Sequence, residues 1–269
     1  MVAKTVFKGI KYGLPFLIAV LLFNWSCTQE ASTKQQVLTS LSKEIKEISP
    51  GILEGYLPED KIPNSLKLIP PPPKEGSATF LLDQEIASSF LSLKDKKRKE
   101  QAKKDADLAF PHATEAFNII LDIKISKVTT PHLYMILRRT LADAGLSTYA
   151  AKNHYQRARP FMLNNMAICT PEDEEGLRKD GSYPSGHTAI GWAWALILAE
   201  VFPEQADDIL ERGKQFGISR NVCNVHWHSD VVYGRMMGAA TVAILHSNTD
   251  FIIDLEAAKS EIIKLKLIN

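Results

Sequence analysis

The stretch Pro184-Ser185-Gly186-His187-Thr188-Ala189-Ile190-Gly191-Trp192-Ala193-Trp194-Ala195-Leu196-Ile197-Leu198-Ala199-Glu200-Val201 runs from a polar turn into a segment that is apolar nearly all round. A helix with no polar face belongs in a core. The apolar part, 189–201, has 13 residues. A bilayer span takes about 20, so this segment reads as the central buried helix of a globular fold, with Trp192 and Trp194 as core residues. Outward from it, apolar residues recur at helical spacing over 80–93, 113–125, 131–144, 206–218 and 229–246, and again near the C-terminus. No stretch alternates over several strands. These patterns predict an all-α fold, a single compact helical domain. The four prolines at 70–73 cannot be helix interior and predict extended polyproline structure. The charged run 94–104 predicts a solvated helix end without a function of its own.

The chain has 269 residues, 45% hydrophobic and 23% charged, with 32 Lys+Arg against 31 Asp+Glu. This is an ordinary globular composition. A net charge of +1 gives no general pull toward nucleic acid or anionic lipid, so any basic site must be local. The N-terminus is a separate object. Lys4, Lys8 and Lys11 precede a short apolar run over 12–23, then Asn24-Trp25-Ser26-Cys27 and a polar stretch, which is the layout of an export signal. Cys27 follows small Ser26 and opens the polar stretch, which makes it a candidate lipid anchor, although Asn24 stands where such signals usually carry Leu. Residues 1–27 are expected as a signal peptide of lipoprotein type, 28–66 as a tether with short helices, and 67–269 as the helical domain. The protein is expected to be exported to the periplasm, tethered to the membrane if Cys27 is lipidated. Export permits a disulfide between Cys169 and Cys223; two buried free thiols are the alternative.

The chemistry lies in three pieces: Lys152-x6-Arg159-Pro160, Pro184-Ser185-Gly186-His187, and Ser219-Arg220-x5-His226-x3-Asp230. Singly, each has a bland reading as a helix boundary, a turn or a structural histidine. Together, Lys152, Arg159 and Arg220 supply three positive charges, and arginine's fork matches phosphate oxygens. Ser185 can donate a hydroxyl, and Gly186 lets its backbone N–H approach closely. Both stand just before the buried helix, where N–H groups and the helix dipole favour an anion. His226 and Asp230 are spaced i, i+4, so on a helix they share a face, and the carboxylate can accept the Nδ1–H of the imidazole. Nε2 is then a nucleophile toward phosphorus, with His187 as the acid for the leaving alkoxide. No metal or other cofactor is required for that chemistry.

These motifs resemble the signature of the phosphatidic acid phosphatase type 2 (PAP2) superfamily, which also includes vanadium haloperoxidases, and more closely the class A bacterial nonspecific acid phosphatases. The resemblance covers most of the chain after the tether, including the Pro70 to Pro73 run followed by Asp83-Gln84, the stretch 181–188, and Ser219-Arg220 through His226-Trp227 to Asp230. It implies phosphate binding at Lys152, Arg159, Ser185, Gly186 and Arg220, an acid at His187, and a nucleophile at His226 partnered by Asp230. It further implies hydrolysis of a broad set of phosphate monoesters, transfer of phosphate to alcohols as a side reaction, and cysteines paired where Cys169 and Cys223 stand. Homo-oligomers are an open expectation. Two rivals use overlapping residues: a vanadate-dependent haloperoxidase with His226 on vanadium, and a metal-dependent hydrolase using His226, His228 and Asp230. The second leaves both basic motifs and 184–187 without a role. A lipoprotein that binds phosphate without turnover is the non-enzymatic rival. His112, His132, His154 and His246 lack a comparable context and read as structural or surface residues.

Overall fold

The structure, a computed structural model, describes residues 38–268. The export signal and Cys27 lie outside the described residues. A short antiparallel pair, β1 (Glu47–Ser49) and β2 (Ile52–Leu53), leads into helices α1 (Ser65–Leu68), α2 (Ala78–Leu91), α3 (Lys96–Lys104) and α4 (Glu115–Asn118). Next come α5 (Pro131–Leu146), α6 (Tyr149–Tyr155), α7 (Pro160–Asn164) and α8 (Glu174–Lys179). The chain ends in α9 (Gly186–Val201), α10 (Ala206–Val222), α11 (His228–Leu245) and α12 (Thr249–Ile268). The fold is all-α.

The apolar stretch forms α9, with Ala189, Ala193, Trp194, Ala195, Ile197 and Leu198 all buried. Trp194 satisfies its indole N–H on Leu137 O at 3.0 Å. α10 and α11 flank α9 so closely that side chains would collide at the crossings. A Cβ on Gly213 of α10 would come 2.3 Å from the Ala195 Cβ, and one on Gly238 of α11 would come 2.4 Å from Ala189 O. Glycine at these points lets the three helices that carry the second and third motifs meet backbone to backbone.

The described part of the 28–66 segment is fastened to the helical body. Ser40 N donates to Asp254 on α12 at 2.8 Å, Tyr56 OH donates to the same carboxylate at 2.7 Å, and Arg139 Nη1 donates to Ser40 Oγ at 2.7 Å. The four prolines run without helix or strand, and Tyr183 OH donates to Pro70 O at 2.6 Å.

Two elements differ from the periodic reading. Over 113–125 only a short 3-10 turn and α4 form, because side chains close the backbone instead. Asn118 Oδ1 accepts from Ile125 N at 2.8 Å and Thr114 Oγ1 donates to Ile125 O at 3.2 Å, the local competition that ends helices early. The charged run is a separate helix, α3, capped by Asp95 through Arg98 N at 3.0 Å. It is not merely solvated: Ala102 is fully buried, and Arg98 reaches Ser219 Oγ at 2.9 Å.

Gly213→Ala is expected to destabilise the protein by about 1–3 kcal/mol through overpacking, read as a lower urea midpoint. An unchanged midpoint would mean that α9 and α10 can part freely at this crossing.

Candidate active site

His226 lies in the turn before α11, and Asp230 lies in the first turn of that helix. The pair therefore meets across a helix start, not along a helical face as its spacing suggests. Asp230 Oδ2 accepts from Trp227 N at 2.8 Å, which caps α11 and holds the carboxylate 3.3 Å from His226 Nδ1. Ser182 Oγ donates to the same oxygen at 2.5 Å. On the other side of the ring, Arg159 Nη1 stands 3.1 Å from Nε2. A guanidinium has donors and no acceptor, so Nε2 accepts and Nδ1 carries the proton toward Asp230. Burial pushes the His226 pKa well below its ordinary value, and Arg159, Lys152 and Arg220 push the same way. Both influences favour the neutral imidazole.

Sequence reasoning missed the support behind this pair. Asp230 Oδ1 accepts from Arg157 Nη1 at 2.6 Å, and Arg157 Nη2 donates to Asp83 Oδ2 at 2.7 Å. Asp83, itself buried on α2, accepts from Ser229 N at 2.8 Å and Ser229 Oγ at 2.6 Å. One arginine thus bridges two buried carboxylates and fixes the start of α11. Burial raises the Asp230 pKa, while Arg157 and Ser182 draw it back. The available signal was Arg157 itself, a second arginine two residues ahead of Arg159 inside the first motif.

The cations converge from three elements: Lys152 from α6, Arg159 from the residue before α7, and Arg220 from the last turn of α10. All three are buried. Burial and then Arg159 bring Lys152 down to about 8 and Arg220 down to about 10. Arg220 Nε and Nη1 are buried with no hydrogen-bond partner among the described residues. Ser185 caps α9, its Oγ accepting from Thr188 N at 3.3 Å and from Thr188 Oγ1 at 2.9 Å, so its own O–H proton remains to be given. The N–H groups of Gly186 and His187 are in the first turn of α9 and have no intrahelical acceptor.

His187 Nε2 is 3.0 Å from Ala106 O, which places a proton on Nε2 and leaves Nδ1 as the second site of protonation. The Ala106 carbonyl is itself held in place. Its neighbour Asp105 is buried, receives the fork of Arg212 and accepts from Ser219 Oγ at 2.6 Å. Burial pushes the His187 pKa well below its ordinary value, with Arg220 as the next cause.

The eight residues singled out in the three motifs are thus brought to one place, built on α6, α9, α10 and the start of α11. Residues 133–253 match the family model of the PAP2 superfamily. A non-specific acid phosphatase of Providencia stuartii is 45% identical over 212 residues, covering 78% of this chain and 86% of that protein. The chain belongs to the PAP2 superfamily. An acid phosphatase of Zymomonas mobilis is 41% identical over 75% of this chain and 76% of its own length. A non-specific acid phosphatase of Salmonella typhimurium is 39% identical over 77% and 83%.

In this PAP2 protein Cys169 and Cys223 form a disulfide, with Cα atoms 4.9 Å apart. Cys223 caps the end of α10, three residues before His226. Asn224, in left-handed conformation at φ 62°, follows it and bonds Asn164 and Met166 O through its side chain, fixing the turn. His228 is half-buried, and Asp83 and Arg235 are the charged groups acting on it. Among the described residues, no three His, Cys, Asp or Glu side chains group as a metal site.

Arg157→Met leaves Asp83 and Asp230 buried without their cation. It is expected to cost about 3–5 kcal/mol, measured by denaturant unfolding. A loss below about 1 kcal/mol would show that the two carboxylates do not need the bridge.

Proposed function

We propose that this protein is an exported acid phosphatase that hydrolyses phosphate monoesters of broad structure through a phosphohistidine at His226. The observation that carries the reading is Arg220, buried beside Lys152 and Arg159 with two nitrogens, Nε and Nη1, unpartnered among the described residues. An unpaired buried cation is costly, and a phosphate dianion supplies the missing charge and acceptors. The names of the PAP2 relatives support the ester chemistry.

Phosphate oxygens take Arg220, Lys152, the Ser185 hydroxyl and the first-turn N–H groups of α9. Arg159 Nη1 turns from His226 Nε2 to a phosphate oxygen, which frees the lone pair. Nε2 attacks phosphorus in line as the phosphorus–oxygen bond to the leaving group breaks, and His187 gives that oxygen its proton. Asp230 steadies the cationic ring through Nδ1–H. Water, giving its proton back to His187, then splits the phosphorus–nitrogen bond and restores His226. An alcohol in place of water gives phosphotransfer.

The electrostatics explain why the acid works only with substrate. Burial and then Arg220 push the His187 pKa down in the free protein. A bound dianion offsets Arg220 and raises the His187 pKa. The descending limb of kcat is therefore expected at higher pH than that of kcat/KM; coincident limbs would separate His187 from proton transfer. Lys152 keeps its charge below about 8, so the cradle is intact at acid and neutral pH. Export and anchoring through Cys27 complete the proposal; radiolabelled lipid on the wild-type chain that Cys27→Ala abolishes would establish the anchor.

The central test is hydrolysis of p-nitrophenyl phosphate at pH about 5 to 6 with excess EDTA, for the wild-type chain and His226→Ala. EDTA-resistant turnover abolished by the substitution is expected. Loss of wild-type activity to EDTA would instead favour the metal-dependent rival.

A further inference from the structure

Asp180 lies outside the three motifs, yet its carboxylate touches two of the three cations. Oδ2 accepts from Lys152 Nζ at 2.9 Å and from Arg159 Nη2 at 3.0 Å. The Asp180 carbonyl also takes Arg159 Nε at 3.2 Å, beside Leu177 O at 2.8 Å. A count of donors shows what this does. A guanidinium has five N–H groups. Nε–H goes to those carbonyls, Nη1 gives its two to Val225 O and His226 Nε2, and Nη2 gives one to Asp180. Among the described residues, a single N–H of Arg159 is left over. Lys152 gives one N–H to Asp180 and another to Gly181 O, so it too keeps one.

The backbone at this point is fixed while the side chain is reachable. A Cβ on Gly181 would come 2.6 Å from Lys152 O, so the chain is pressed against α6. The Asp180 side chain itself is 37% exposed, against 4% for Lys152 and 1% for Arg159. Rotation about its own side-chain bonds would withdraw the carboxylate from both cations.

We propose that Asp180 is a resident counter-anion of the cradle, competing with phosphate for Lys152 and Arg159 and so setting how tightly substrate and product are held. The inference rests on the phosphate-binding reading above. One carboxylate oxygen gathering two cations takes the coordination that one phosphate oxygen would take. Its release restores N–H groups to Arg159 and Lys152 together. The competition weakens binding that ester and product phosphate share, and such uniform binding does not raise kcat. Asp180 thereby limits inhibition by inorganic phosphate.

The test uses the full chain with Asp180→Asn, which removes the charge and keeps the shape, and Asp180→Glu, which keeps the charge. Inorganic phosphate is titrated by thermal shift, and its Ki is measured against p-nitrophenyl phosphate. The Asp180→Asn variant is expected to bind phosphate about tenfold more tightly, with KM falling alongside and kcat not rising, whereas Asp180→Glu stays near wild type. Unchanged or weaker phosphate binding by Asp180→Asn would overturn the inference and make Asp180 an orienting partner of the cations. Equal tightening by both variants would overturn it too, since charge would not be the cause. If phosphate fails to stabilise the wild-type chain, the phosphate-site reading falls first; if it stabilises the wild type and Asp180→Asn gains nothing, the competition alone falls.

Discussion

Three positive side chains, Lys152, Arg159 and Arg220, are held together out of water and repel each other, and the surrounding structure resists that repulsion. Burial lowers the pKa of each of them, and Arg159 is the next cause for both Lys152 and Arg220. They arrive on separate elements: Asp180 ties Lys152 to Arg159, and the backbone contact of α9 with α10 and α11 at Gly213 and Gly238 fixes the helix that carries Arg220. A looser crossing would let the cations move apart, which is the direction their charges favour.

Two buried carboxylates outside the three motifs complete the arrangement. Asp83 works through Arg157 to fix Asp230 and the start of α11, and so the tautomer of His226. Asp105, held by Arg212 and Ser219, sits next to the carbonyl that receives His187 Nε2 and bonds the residue preceding Arg220. His226 and His187 are therefore each steered by an acidic residue that lies outside their own motif. Both carboxylates reside on the α2–α3 stretch or just after it, so that outer layer registers the site as well as covering it.

The core helix and the three motifs were legible because their signals are local: an unbroken apolar run, a cap residue before it, and charged residues at fixed spacing. The support was not, because it depends on long-range pairing. Asp83 and Arg157 are 74 residues apart, and although each lies in a stretch that carries a signal, nothing local pairs one with the other. The run 94–104 misled for a related reason: its composition is that of a solvated face, and the contacts of Arg98 and Ala102 with α10 appear only in three dimensions. The segment 113–125 had helical periodicity, but Asn118 and Thr114 offered the backbone better local partners. The His226 and Asp230 spacing gave the right neighbours by the wrong geometry, since a helix cap brings together the same positions as a helix turn.

The bond between Cys169 and Cys223 encloses 54 residues of sequence separation, and that loop holds all of α9 and α10. Closing a loop of this length removes chain entropy from the unfolded ensemble worth about 4 kcal/mol. Ser185, His187 and Arg220 are inside the loop; Lys152, Arg159, His226 and Asp230 are outside it. A crosslinked but unfolded chain thus keeps half of the site on a short leash, and refolding has to bring the other half to it from the two flanks.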